Sequence, residues 1–148
     1  MYKKSLSMFA VLLLGSFSVM AWAGDGKDKK GATALQGSWK ASDAVKGDSR
    51  ITFDGNKFTV EFKDEKATGT FTTDASKTPK TIDMLITGGT AKIGEKYKGK
   101  TSLGIYAVEG NKLKWCANEP GADARPTAFP DKDSPTKMLY IVFDREKK

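Results

Sequence analysis

Histidine is absent from the 148 residues, cysteine occurs once, as Cys116, and proline occurs five times. Without histidine there is no imidazole base, no Ser-His-Asp or Cys-His constellation and no imidazole metal ligand. A single thiol excludes an intramolecular disulfide, a thiolate zinc cluster and a CxxC redox pair. The Asp131-Lys132-Asp133 triplet lacks the glycine and the distal glutamate of a calcium loop. No spacing of carboxylates demands the paired acids of a hydrolytic cleft. Asp83, between Ile82 and Met84, is expected to face outward and pair with a lysine or with Arg125. The composition therefore implies no catalytic residue, no metal and no cofactor, and it favours a binding or structural module over an enzyme.

What the chain does contain begins with an export signal. Lys3 and Lys4 precede an apolar run from Leu6 to Met20, and Ala21-Trp22-Ala23 supplies small residues at the two positions a signal peptidase reads. The run falls short of the ~20 apolar residues needed to span a bilayer. Residues 1–23 are thus expected to be a signal peptide, and the mature chain to be periplasmic or extracellular with no transmembrane segment. The formal charge of +7 falls by the two lysines of that leader, leaving a mildly basic protein. Residues 24–34 are polar and glycine-rich, with too little apolar surface to offset ordering entropy, so a flexible leader is expected before a domain spanning residues 35–148.

From Gln36 onward, short runs of Val, Ile, Thr, Phe, Tyr and Trp alternate with Gly, Asn, Asp, Lys and Pro, with no long stretch of helical period. This predicts an all-β domain with eight strands, over residues 37–42, 49–54, 57–63, 67–73, 81–87, 101–109, 112–118 and 137–144. Gly55-Asn56 and Gly110-Asn111 each read as two-residue hairpin loops, the glycine accepting the positive φ of a primed turn. A loop of that length fixes the register. In the first hairpin Phe53 then faces Phe58 and Ile51 faces Val60, while Arg50 faces Glu61 on the other side. In the second, Val108 faces Leu113, Tyr106 faces Trp115 and Gly104 faces Ala117. Both registers segregate polarity. Eight such strands can stack as a sandwich or curl into a barrel; hairpin-length connections and the removal of exposed edges favour an eight-stranded antiparallel up-and-down barrel.

The first and last strands are neighbours in such a barrel, so Arg145 can lie over the Trp39 ring and seal one end. Gly37-Ser38-Trp39 with Arg145 looks like the lipocalin arrangement, although avidin-type barrels open similarly. A resemblance also runs over nearly all of the domain. Leu35-Gln36-Gly37-Ser38-Trp39, Thr78-Pro79-Lys80-Thr81-Ile82-Asp83, Leu103-Gly104-Ile105-Tyr106, Gly110-Asn111-Lys112-Leu113-Lys114 with Cys116, and Arg125-Pro126-Thr127 with Phe129 follow one another in order and spacing. Together they resemble the successive blocks of a planctomycete family of small conserved hypothetical domains. The resemblance implies a lipocalin-like, often exported barrel and leaves activity open. Asn111 stands where that family more often has Asp, a change the turn should tolerate.

A barrel of eight strands either fills itself with side chains or holds one small ligand. Many large groups point inward here, which favours a filled core. The competing expectation is an apolar pocket near the small Gly104/Ala117 pair, lined by Phe58, Val60, Phe62, Tyr106 and Trp115 and suited to a small hydrophobic molecule. On the outside, Ile105 and Cys116, with Tyr140 and Val142, form an apolar patch that must be covered or used. The irregular segment 119–136 could fold over it; otherwise the patch is a candidate interface for a second copy or an envelope protein. The lysine-rich stretch 92–100 is read as a solvated loop rather than a polyanion site, and no nucleic-acid partner is expected.

Overall fold

The computed structural model describes residues 31–42, 48–131 and 137–148. The proposed signal peptide and residues 24–30 of the proposed leader lie outside the described residues. Eight strands follow in order: β1 (Gly37–Ala41), β2 (Ser49–Asp54), β3 (Lys57–Phe62), β4 (Glu65–Asp74), β5 (Lys80–Gly89), β6 (Thr101–Glu109), β7 (Lys112–Ala117) and β8 (Leu139–Arg145). Each strand pairs antiparallel with its sequence neighbour, and β1 pairs with β8, giving a closed up-and-down barrel of lipocalin-like architecture.

Turn chemistry and alternation together explain the register. Gly55 and Gly110 sit at φ 60° and 59°, the left-handed region that the two-residue loops require. The pairs that follow are Phe53 with Phe58, Ile51 with Val60, Tyr106 with Trp115 and Gly104 with Ala117. The inner face is continuous around the barrel, joining Trp39, Ile51, Phe53, Phe71, Ile82, Tyr106, Leu113 and Phe143 in one core cluster. Burying such side chains contributes roughly 1.5–3 kcal/mol each relative to leaving them exposed. Gly69 marks the register shift between β4 and β5; a Cβ there would overlap the Leu85 carbonyl oxygen, so the irregularity depends on the missing side chain.

The two ends of the barrel differ. At the end where β1 begins, residues 31–35 form a helical segment, α1, that plugs the opening. Leu35 and Gly31 are buried and Ala32 packs on the core. Residues 31–34, assigned from composition to a flexible leader, are therefore part of the domain. Ala32 and Leu35 are spaced to fall on one helix face, and burying that face offsets the ordering that an isolated polar segment could not.

At the other end, the β5–β6 connection carries a second short helix, α2 (Ala91–Lys96), where the sequence suggested a solvated loop. Its lysines are exposed as expected, yet Ile93 and Tyr97 turn inward against the core. Gly94 lies against Gly89, whose φ of 146° suits glycine alone, so the two backbones meet at a distance that side chains would prevent. Thr90 further pins the connection: its N–H donates to the Lys66 carbonyl and its Oγ1 accepts from the Lys66 N–H, both at 2.8 Å.

Candidate functional site

The seal of the plugged end is built from Trp39 and Arg145. Trp39 is fully buried, and its Nε1 donates to the Leu35 carbonyl at 2.7 Å. The Arg145 guanidinium carbon lies 4.0 Å from the Trp39 ring centroid. Its Nη1 and Nη2 donate to the carbonyls of Gln36 (2.7 Å) and Ala34 (3.0 Å). One planar cation thus stacks on an aromatic face while satisfying carbonyls at the end of α1, where a helix leaves acceptors unpaired. Around it Leu35, Phe53, Phe71, Ile82, Tyr106 and Leu113 are buried, with Phe53 and Phe71 edge to face at 4.8 Å. This half of the barrel is filled.

The half toward α2 is not. A cavity of about 480 Å³ occupies it, lined by Phe58, Val60, Phe62, Ala67, Met84, Ile86, Trp115, Ala117, Ile141 and Phe143, among others. Ile93 and Tyr97 close part of its roof, and Phe62, Leu139 and Lys137 stand at its mouth. Phe62 and Leu139, at the ends of β3 and β8, remain 37% and 47% exposed. Val60, Ala67 and Ala117 are too small to fill the space between the larger side chains of this wall.

Of the residues proposed for a pocket, Phe58, Val60, Phe62, Trp115 and Ala117 line this cavity, whereas Gly104 and Tyr106 are absent from its wall. Gly104 is small for another reason. A Cβ there would come within 2.9 Å of the Cys116 carbonyl oxygen and 3.1 Å of the Ala117 Cβ, so its size permits close packing and opens no space. Tyr106 lies deep in the plugged half, where a Cβ on Gly31 would come 2.5 Å from its hydroxyl. Burial pushes the Tyr106 phenol above its usual pKa, with the neighbouring Thr73 hydroxyl acting against the shift and the Asp74 charge adding to it.

Two of the residues around the cavity carry an unpartnered polar atom. Ser49 Oγ and Trp115 Nε1 are both buried and have no hydrogen-bond partner among the described residues, and both residues line the cavity. An unsatisfied buried group of this kind costs about 1–3 kcal/mol. The sequence pointed to Trp115 as a wall residue; Ser49 went unnoticed, because a serine opening a strand is ordinary in any β protein.

At the mouth, Tyr97 Oη donates to Glu119 at 2.7 Å and Lys96 Nζ donates to Tyr97 Oη at 2.8 Å. Lys96 Nζ also donates to Glu119 at 3.3 Å, and the bonds from Tyr97 and Lys96 hold the Glu119 carboxyl below its usual range, Tyr97 contributing most. They tie α2 to the start of the loop after β7. Arg50, also on the rim, directs its guanidinium to Glu146 through two bonds of 2.8 and 2.9 Å, and lies 3.9 Å from its cross-strand partner Glu61. Among the described residues no cluster of three or more potential metal ligands occurs.

The outer patch is not an open interface. Ile105 and Cys116 are 1% and 0% exposed, although their register places them outside the barrel core, beside Tyr140. Tyr140 and Val142 are half-buried. Residues 118–131, which follow β7, reach over this wall. The Phe129 ring sits 6.0 Å from that of Tyr140, and Arg125 donates to the Gly104 carbonyl at 2.8 Å while pairing with Asp83. Asp83 faces outward and holds the strap in place. Burial raises the pKa of the Cys116 thiol.

Scans against protein-family models, curated proteins and solved structures each find no match to this chain.

Proposed function

We propose that this protein is an exported binding module that takes up a small hydrophobic molecule in the unfilled half of its barrel. The observation that carries this reading is the 480 Å³ cavity, whose wall is chiefly aromatic and aliphatic and whose mouth keeps Phe62 and Leu139 at the surface. An interior left empty forfeits dispersion contacts along its whole lining, and a ligand restores them. Ligand uptake thus gives a reason for the small residues at Val60, Ala67 and Ala117, which a purely structural barrel would do better to replace. Export rests on the basic and apolar N-terminal leader. The rival reading, an envelope interaction module using Ile105, Cys116, Tyr140 and Val142, is weakened by the strap that already occupies that wall.

The test is titration of the purified protein with an environment-sensitive apolar dye, beside a Val60→Trp variant that places an indole in the cavity. The wild type should bind the dye and the variant should lose at least about tenfold in affinity with an unchanged far-ultraviolet spectrum, since tenfold corresponds to ~1.4 kcal/mol. A wild type that binds no dye, alkanoate or aromatic compound would end the proposal.

A further inference from the structure

We infer that the ligand of this cavity is an apolar molecule carrying a hydrogen-bond acceptor, a carbonyl or carboxyl oxygen, held inside the barrel by Trp115 Nε1 and Ser49 Oγ. The inference rests on the binding reading above and adds the chemistry of the bound group. Three buried side-chain polar atoms have no partner among the described residues: Ser49 Oγ, Tyr106 Oη and Trp115 Nε1. Tyr106 Oη lies against Thr73 and Gly31 in the filled half, where no room remains for a further atom. The other two belong to residues that line the barrel cavity.

The character of the two groups sets the chemistry. An indole N–H can only donate, and a serine hydroxyl can donate or accept, so an acceptor on the ligand suits both. A plain hydrocarbon would leave the Trp115 N–H as unsatisfied as before. Trp39 provides the internal contrast, since the same indole group in the plugged half is satisfied by the Leu35 carbonyl at 2.7 Å. Ser102 provides another: its hydroxyl also borders the cavity but is already committed to the Asn118 carbonyl at 2.9 Å. The fold has given partners to the Trp39 indole and the Ser102 hydroxyl, whereas Ser49 Oγ and Trp115 Nε1 have none among the described residues.

The experiment uses two probes of matched length, 2-nonanone and nonane, competed against the apolar dye on the wild type and on Ser49→Ala and Trp115→Phe. These substitutions delete a donor while keeping the cavity apolar. In the wild type both probes should displace the dye. In each variant the ratio of ketone to alkane affinity should fall, by up to about tenfold for Trp115→Phe, as loss of one hydrogen bond to a ligand predicts. Nonane should bind the Ser49→Ala protein no less tightly than the wild type, which separates loss of a donor from damage to the pocket. If neither probe binds the wild type, the binding reading fails and takes this inference with it. If both bind and the ratio is the same in all three proteins, the binding reading stands and the inference is overturned.

Discussion

The Arg145 guanidinium lies 4.0 Å from the centre of the Trp39 ring and donates on to the carbonyls of Gln36 and Ala34. The three contacts share one planar group. Lysine can supply the charge and not the fork, so Arg145→Lys should recover little of the stability lost in Arg145→Ala. Hydrogen bonds from a charged donor contribute about 1.5–3 kcal/mol each, and half-exposure of the arginine places the combined loss near ~2 kcal/mol. Urea denaturation would measure it, and a lysine variant within ~0.5 kcal/mol of the wild type would show that the seal is apolar packing alone.

Cys116 should be a reporter of the strap over the outer wall. Its thiol is fully buried and burial raises its pKa, so a thiol reagent should react with the native protein orders of magnitude more slowly than with the unfolded chain. Asp83→Asn weakens the Arg125 pair and should speed labelling without changing the barrel's circular dichroism. Native Cys116 labelling at the unfolded rate would mean that the wall is open.

Stability should fall on both sides of neutral pH. Asp144 is held below its usual pKa by hydrogen bonds from Lys112 and then Ser42, as Glu119 is by Tyr97 and Lys96. A carboxyl with a depressed folded-state pKa stabilises above the ordinary carboxylate range, and that stabilisation is lost as pH falls through the folded value. Tyr106 has the opposite sign: with its pKa raised mainly by burial, its contribution is complete below pH ~10 and is lost as pH rises through the folded value. Tyr106→Phe should therefore flatten the alkaline limb of a stability-against-pH curve and leave the acid limb alone.

Much of this architecture can be read from the chain, because a two-residue loop and a period of two leave one register only. Gly55-Asn56 and Gly110-Asn111 specify the pairings of four strands, and the Trp39/Arg145 proximity follows from closure. The position of the cavity does not follow. Small size at Gly104 suggested a thin wall, but the same absence of a side chain serves close approach to Cys116 and Ala117, and only three-dimensional packing separates the two uses. Ser49 was hidden for a related reason: a buried hydroxyl matters by what fails to meet it, which no local pattern records. The helix α2 escaped notice because six residues, with Gly94 among them, are too few to show a helical period or to hold a helix alone, and the contacts of Ile93 and Tyr97 with the core sustain it.

The β1–β8 pairing has a consequence for how the chain reaches this form. Every other seam joins strands that follow one another and can zip up while synthesis is still under way. The last seam joins the two extremities of the sheet and must wait for β8, so until then the curled ribbon keeps two raw borders with a row of unmatched amides on each. Assembly of this protein is thus a race between the arrival of its final strand and the capture of those borders by another chain.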